Sequence, residues 1–214
     1  MVNAMETMKA ERFTAIMRGV PTEIIGEVAK AVVAGGIKFV EITYSHTSED
    51  PLALFARQFE EVKKAIGDTA FIGAGTVLTA AQVDFAYEHG ASFIVSPNVC
   101  DEVILRTKEL GLISVPGAMT PSEVVHAYNL GADIVKMYIV EEPKYVKFLM
   151  GPLGFVPYLA TCNVSAETIP EWMKCGVKYF GTRAFITNDL LENRDYEEIT
   201  RRAAAHVKAI KDNI

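Results

Sequence analysis

Short apolar runs alternate along the chain with longer stretches whose apolar residues recur every three or four positions. The first run is FTAIM, Phe13 to Met17. PTEIIGEVAKAVVAG follows, with Ile24, Ile25, Val28, Ala31 and Val32 at helical spacing. Pro21 suits the start of that helix and Gly35-Gly36 its stop. IKFVEITY comes next, then a helical pattern from about Pro51 to Ile66. The alternation continues through AFIGAGTV, SFIVSPN, LISVPGA, DIVKMYI, FVPYLAT and KYFGTRAF. The phrases AGGIKFVE, HGASFIVS, LGLISVP, LGADIVK and CGVKYFG each place a glycine where a helix stops and a β-rich run begins. Thr120, Pro121 and Glu123 have the spacing of a capping box, and Pro143 suits another helix start.

Eight strand-like runs, each followed by a helical segment, predict a parallel sheet. The runs are nearly continuous in apolar character, as expected of strands covered on both faces. Eight units fit an α/β (β/α)8 TIM barrel. The rival, a doubly wound open sheet, lacks its dinucleotide fingerprint, since no GxGxxG follows the first strand. No Pro/Ser-rich linker divides the chain, so residues 1–214 read as one barrel domain, with 1–12 a short N-terminal extension or helix.

The totals narrow the range of functions. The chain has 214 residues, half of them hydrophobic and 22% charged, enough for a sizeable core without staples. A net charge of −6 with no basic stripe argues against nucleic acid as the partner. An anionic substrate therefore needs a local positive site. Three cysteines, Cys100, Cys162 and Cys175, are widely spaced and form no CxxC. The opening MVNAMETMKAERF has no apolar core of signal-peptide length. A reducing cytoplasmic location is expected, with no membrane partner. The four histidines do not pair at metal-ligand spacing, so no metal site is expected.

In a barrel of this kind, reactive groups lie at the C-terminal ends of the strands. Those ends supply Arg18, Glu41 with Thr43, Thr76, Ser96 with Asn98, Lys136, Thr161, and Gly181 with Thr182. Lys136 stands out, because ADIVKMYIVEE surrounds it with apolar neighbours. Burial penalises the ammonium form, and a neutral amine attacks carbonyls to form a Schiff base. The alternative is a lysine that snorkels or is salt-bridged. Glu41 is the second charge inside an apolar strand, either a proton shuttle for Lys136 or half of a structural ion pair. Arg18 offers a fork for carboxylate or phosphate, or is an exposed strand-end arginine. GAGTV, Gly73 to Val77, lacks Walker spacing, so it reads as a weak anion loop or as a strand with packing glycines. Cys162 has no histidine near it in sequence and reads as a small buried hydrophobe rather than a nucleophile.

Taken together, AIMRG, VEITY, GAGTVLT, FIVSPN, PGAMTPSE and IVKMY, in this order and spacing, resemble the 2-keto-3-deoxy-6-phosphogluconate / 4-hydroxy-2-oxoglutarate aldolase family. The resemblance runs from about Phe13 to the C-terminal helix. It implies a cofactor-free class I aldolase barrel, assembled as a homotrimer. Such an enzyme cleaves a 2-keto-3-deoxy sugar acid, 6-phosphorylated in the main case, to pyruvate and an aldehyde such as glyceraldehyde 3-phosphate. It implies Lys136 as the Schiff-base lysine and Glu41 as the general acid/base. Arg18 and Thr76 fall around the pyruvate carboxylate and the base. Pro97 matches the proline after the fourth strand, and Thr161 the threonine beside the pyruvyl group. Gly181 and Thr182 form the eighth-strand turn.

Three departures bear on specificity. Met137-Tyr138 stand where the family usually has Phe-Pro, and Cys162-Asn163 where it usually has Gly-Gly. Those glycines let backbone N–H groups approach a phosphate, so side chains at Cys162 and Asn163 are expected to narrow that approach. Arg183 follows Thr182 and either supplies a guanidinium in their place or points away. TYSHTSED also lacks the arginine that some members carry after the second strand. Three further functions fit the same residues: a non-catalytic or regulatory sugar-acid-binding barrel, an aldolase for an unphosphorylated substrate such as 4-hydroxy-2-oxoglutarate, and a phosphosugar isomerase or synthase that uses no Schiff base.

Overall fold

A computed structural model describes residues 3–214. The apolar runs become parallel strands: β1 (Phe13–Ile16), β2 (Phe39–Thr43), β3 (Phe71–Gly75), β4 (Phe93–Val95), β5 (Ile113–Val115), β6 (Gly117–Ala118), β7 (Val135–Met137), β8 (Tyr158–Ala160) and β9 (Tyr179–Thr182). They pair in the order β5-β4-β3-β2-β1-β9-β8-β7-β6. The two ends of that order, β5 and β6, are consecutive in the chain and separated only by Pro116. They form one stave, and the sheet closes on itself.

The count therefore differs from the eight runs expected, and proline is the reason. Pro116 has no N–H to donate to a ladder. Its carbonyl still accepts from Lys136 N at 2.9 Å, which ties the stave to β7. Gly117 lets the stave approach the other neighbour. A Cβ there would sit 2.4 Å from the Pro97 carbonyl oxygen.

Between the strands lie α2 (Thr22–Ala34), α3 (Pro51–Ile66), α4 (Ala80–His89), α5 (Asp101–Glu109), α6 (Pro121–Asn129), α7 (Pro143–Leu153) and α8 (Ile169–Lys174), with α9 (Asn188–Asn193) and α10 (Tyr196–Lys211) after β9. The start signals hold. Pro21 precedes α2, the box of Thr120 and Glu123 caps α6 in both directions, and Pro143 opens α7.

Strand side chains alternate between two cores. Val40, Ile42, Val135, Met137, Tyr158, Ala160 and Phe180 face outward and pack in the helical layer. Phe39, Phe93, Val95, Ile113, Val115, Ile134, Leu159 and Tyr179 face inward and fill the lower barrel. Phe39 stacks on Phe71 at 5.1 Å and meets Phe93 edge-on at 5.7 Å. Of the expected N-terminal segment, residues 1 and 2 lie outside the described residues. The rest forms α1 (Ala4–Glu11), capped by the Asn3 side chain. Its buried Met8 joins the inner cluster and plugs the N-terminal end. The barrel is thus packed below, and its cavity lies at the C-terminal strand ends.

Candidate active site

Inward-facing positions near the C-terminal strand ends carry polar groups in place of the hydrocarbon below. Glu41 sits mid-strand in β2, and Lys136 mid-strand in β7. In the strand order, three staves separate β2 from β7 in either direction, so the two side chains face each other across the barrel. Their neighbours leave room. Glycines lie beside both in the ladder, Gly73 opposite Glu41 and Gly117 opposite Lys136. Gly75 is more exacting. A Cβ there would lie 1.9 Å from Glu41 Oε1, so the carboxylate occupies the space that any other residue would fill.

A cavity of about 400 Å³ opens above them, lined by Arg18, Glu41, Lys136, Tyr138, Thr161, Cys162, Asn163, Ser165, Thr182 and Arg183 among others. Glu41 is 4% exposed and Lys136 8%. Among the described residues no ion pair within 4.0 Å joins them. The ion-pair alternative for these two therefore fails. Lys136 Nζ instead lies 4.9 Å from the centre of the Tyr138 ring.

Burial dominates the electrostatics. It pulls the Lys136 amine down to about 8, with Arg18 pushing the same way and Glu41 and Cys162 opposing. Burial also raises the Glu41 carboxyl above its ordinary range, against the pull of Lys136 and Arg18. A lysine that releases its proton near neutrality and a carboxyl able to hold one are suited to nucleophile and proton carrier. Arg18 lies two residues beyond β1, and its Nη2 donates to Thr76 Oγ1 at 2.8 Å. Thr76 lines a second, adjoining cavity of about 700 Å³, of which Arg18 is the shared wall.

A profile of the family described as "Aldolase: KDPG and KHG aldolase" matches residues 4–202. The chain belongs to the KDPG and KHG aldolase family. It is 32% identical over 205 residues to the 2-dehydro-3-deoxy-6-phosphogalactonate aldolase of Escherichia coli K12, covering 94% of this chain and 95% of that one. It is 29% identical over 189 residues to the KHG/KDPG aldolase of the same organism, covering 86% and 85%. A solved structure described as "Native KDPGal structure" superposes with a TM-score of 0.81 at 30% identity, covering 94% of this chain and 95% of that one.

Within this aldolase frame the expected residues divide. Arg18, Glu41, Lys136, Thr161, Cys162, Asn163 and Thr182 line one cavity. Thr76 joins through Arg18. Pro97 and Gly181 do not line it. Pro97 packs its carbonyl on Gly117, and Gly181 lies in the wall near Leu159 and Thr14. Ser96 is buried, and the Asn98 amide turns to the Val99 carbonyl.

Two expectations are corrected. Met137 is fully buried in the outer layer and never reaches the cavity, because it has the opposite parity to Lys136. The departure at that position alters helix packing, whereas the one at Tyr138 alters the site. Cys162 is only partly buried and faces the cavity, so it is not the enclosed hydrophobe expected.

Asn163 resolves the departure at Cys162-Asn163. Its φ is +49°, in the left-handed region that glycine favours and asparagine tolerates. Its carbonyl accepts from Thr168 Oγ1 at 2.8 Å and Trp172 Nε1 at 3.2 Å, and its Nδ2 donates to the Glu141 carbonyl at 3.3 Å. The backbone keeps a glycine-like turn while the side chain is tied to the β7–α7 loop. Arg183 lines the cavity with its Nη2 held by the Ile186 carbonyl at 3.0 Å and Asn188 Oδ1 at 3.1 Å.

The cavity wall includes Tyr138, already marked by its departure, and further residues that no sequence motif marks. Counting two from Lys136 reaches Tyr138, and counting two back from Arg18 reaches Ile16; both line the cavity. Val164, Ser165 and Ala184 sit on loops, where no period applies.

Proposed function

We propose that this protein is a class I aldolase that cleaves a 2-keto-3-deoxy sugar acid phosphate to pyruvate and a phosphorylated aldehyde such as glyceraldehyde 3-phosphate. The observation that carries the reading is Lys136: buried, without a carboxylate within ion-pair distance among the described residues, pulled down to about 8, and facing Glu41 across an open cavity. Its neutral amine adds to the substrate keto group, and Glu41 gives a proton to the departing hydroxyl, so that loss of water leaves an iminium. Glu41 takes the proton from the hydroxyl two carbons away. The bond between that carbon and the adjacent methylene breaks. Its electron pair flows into the iminium, leaving an enamine on Lys136, and the aldehyde departs. Glu41 returns the proton to the enamine carbon, and water hydrolyses the imine to pyruvate and free Lys136. One carboxyl thus acts in turn as acid, base and acid, which suits a group whose burial lets it hold a proton.

Arg18, oriented by Thr76, is positioned for the carboxylate beside the reacting carbonyl. The far anion fits the loops after β8 and β9, the usual phosphate region of a barrel, where Asn163, Ser165 and Arg183 gather. The relative named for a 6-phosphorylated sugar acid supports that assignment. Borohydride with pyruvate should leave a reduced adduct on Lys136, located by mass spectrometry. A panel of phosphorylated and unphosphorylated 2-keto-3-deoxy acids should show turnover with preference for the former. An unlabelled Lys136 under conditions that label a control aldolase overturns the mechanism, and a preference for unphosphorylated acids overturns the phosphate assignment.

The same reading includes a homotrimer in a reducing cytoplasm. Met119, Tyr128, Ile139, Phe148 and Phe155 are exposed around α6 and α7, apolar surface suited to burial against another chain. Three free cysteines fit a reducing compartment, and no helix among the described residues is long and apolar enough to cross a membrane. Light scattering should report three chains per particle.

A further inference from the structure

Thr76 is a β-branched residue with φ of +58°. A side chain branched at Cβ is disfavoured there, and such conformations persist only where the surroundings hold them. The backbone on either side is pinned, with Tyr44 N donating to the Gly75 carbonyl at 2.9 Å and Val77 N to the Val95 carbonyl at 3.2 Å. The Thr76 carbonyl itself lies 2.9 Å from His46 Nε2. A carbonyl can only accept, so Nε2 carries the proton and donates.

His46 stands in the loop after β2, where the chain has no arginine. It is exposed, yet its ring is seated. It lies 6.4 Å from the Tyr44 ring, which stacks on Phe55 of α3 at 4.2 Å. A continuous chain results. His46 holds the Thr76 carbonyl, Thr76 presents its hydroxyl to Arg18 Nη2 at 2.8 Å, and Arg18 forms the shared wall of the two cavities.

We propose that His46 is a positioning residue for substrate binding: by holding Thr76 in its left-handed conformation it fixes Arg18 where the carboxylate of the keto acid docks. This rests on the aldolase reading above. His46 touches no reacting atom, so its loss weakens carboxylate binding and leaves the chemistry of Lys136 and Glu41 in place. Losing one net hydrogen bond predicts a rise in half-saturating pyruvate and in substrate KM of about three- to tenfold.

The test compares wild type, His46→Phe and His46→Gln in borohydride trapping across a pyruvate titration and in steady-state cleavage. Glutamine places an amide N–H at a similar reach. The expected result is the raised half-saturation and KM in His46→Phe with kcat within about twofold, and recovery in His46→Gln. A His46→Phe protein indistinguishable from wild type overturns the proposal. So does a His46→Gln protein as impaired as His46→Phe, or a loss confined to kcat. Thermal unfolding of each variant separates a merely destabilised loop from a displaced Arg18. If wild type itself fails to trap pyruvate, the aldolase reading falls. If wild type traps it and His46→Phe does so equally well, only this inference falls.

Discussion

Replacing Lys136 by methionine should make the protein more stable while abolishing imine formation. The unfolded chain holds the lysine proton up to about 10.5, whereas the folded one holds it only to about 8. The folded state therefore carries a penalty for the charged amine at every pH below about 8. At roughly 1.4 kcal/mol per pH unit, the penalty is slightly above 3 kcal/mol at pH 7. Between about 8 and 10.5 the unfolded state binds more protons, so stability rises with pH and the penalty shrinks, to about 1 kcal/mol at pH 10. Methionine is of similar length and carries no charge. Lys136→Met should thus gain up to about 3 kcal/mol at pH 7, less whatever the contact with Tyr138 contributes, or about 6–12 °C in Tm at full value for a chain of this size. Urea unfolding of both proteins at pH 7 and pH 10 measures the gap directly. A variant no more stable than wild type at pH 7 would refute the reasoning, as would a gap that does not shrink by pH 10. Either outcome would mean that Lys136 is satisfied by its surroundings and is not held ready to lose its proton.

Glu41→Gln should lower kcat by about 10²–10⁴-fold in a steady-state cleavage assay while the fold is retained, since the amide cannot carry the proton. Gly75→Ala should cost activity on a similar scale, because the added Cβ collides with Glu41 Oε1; circular dichroism should show a native barrel, and full activity would contradict the packing. Met8→Ala should destabilise the protein by about 2–5 kcal/mol in denaturant titration through the cavity left at the barrel floor, with kcat unchanged.

The barrel was legible because its signals are local and repeated. Pro21, Pro51, Thr120 and Pro143 mark helix starts through backbone chemistry that acts within one turn, and each does so in the structure. The split stave at Pro116 was not read, because a proline in an apolar run becomes informative only when both ladder partners are known. Lys136 and Glu41 were conspicuous as ionisable residues in runs that otherwise exclude charge. Met137 follows Lys136 in sequence yet packs in the outer core and does not shape the site, because adjacent strand residues face opposite sides.

By itself the sequence determined the alternation of elements, their caps, and which residue types reach the mouth, since periodicity and burial cost are properties of the local chain. Only the tertiary structure decided that Lys136 and Glu41 are opposed without pairing, because their separation depends on how many staves close the sheet. It also decided that Asn163 keeps a glycine-like turn, that Cys162 faces the cavity, and that His46 reaches Thr76. Each of these depends on segments distant in sequence arriving at one place, and no local pattern encodes the distance between them.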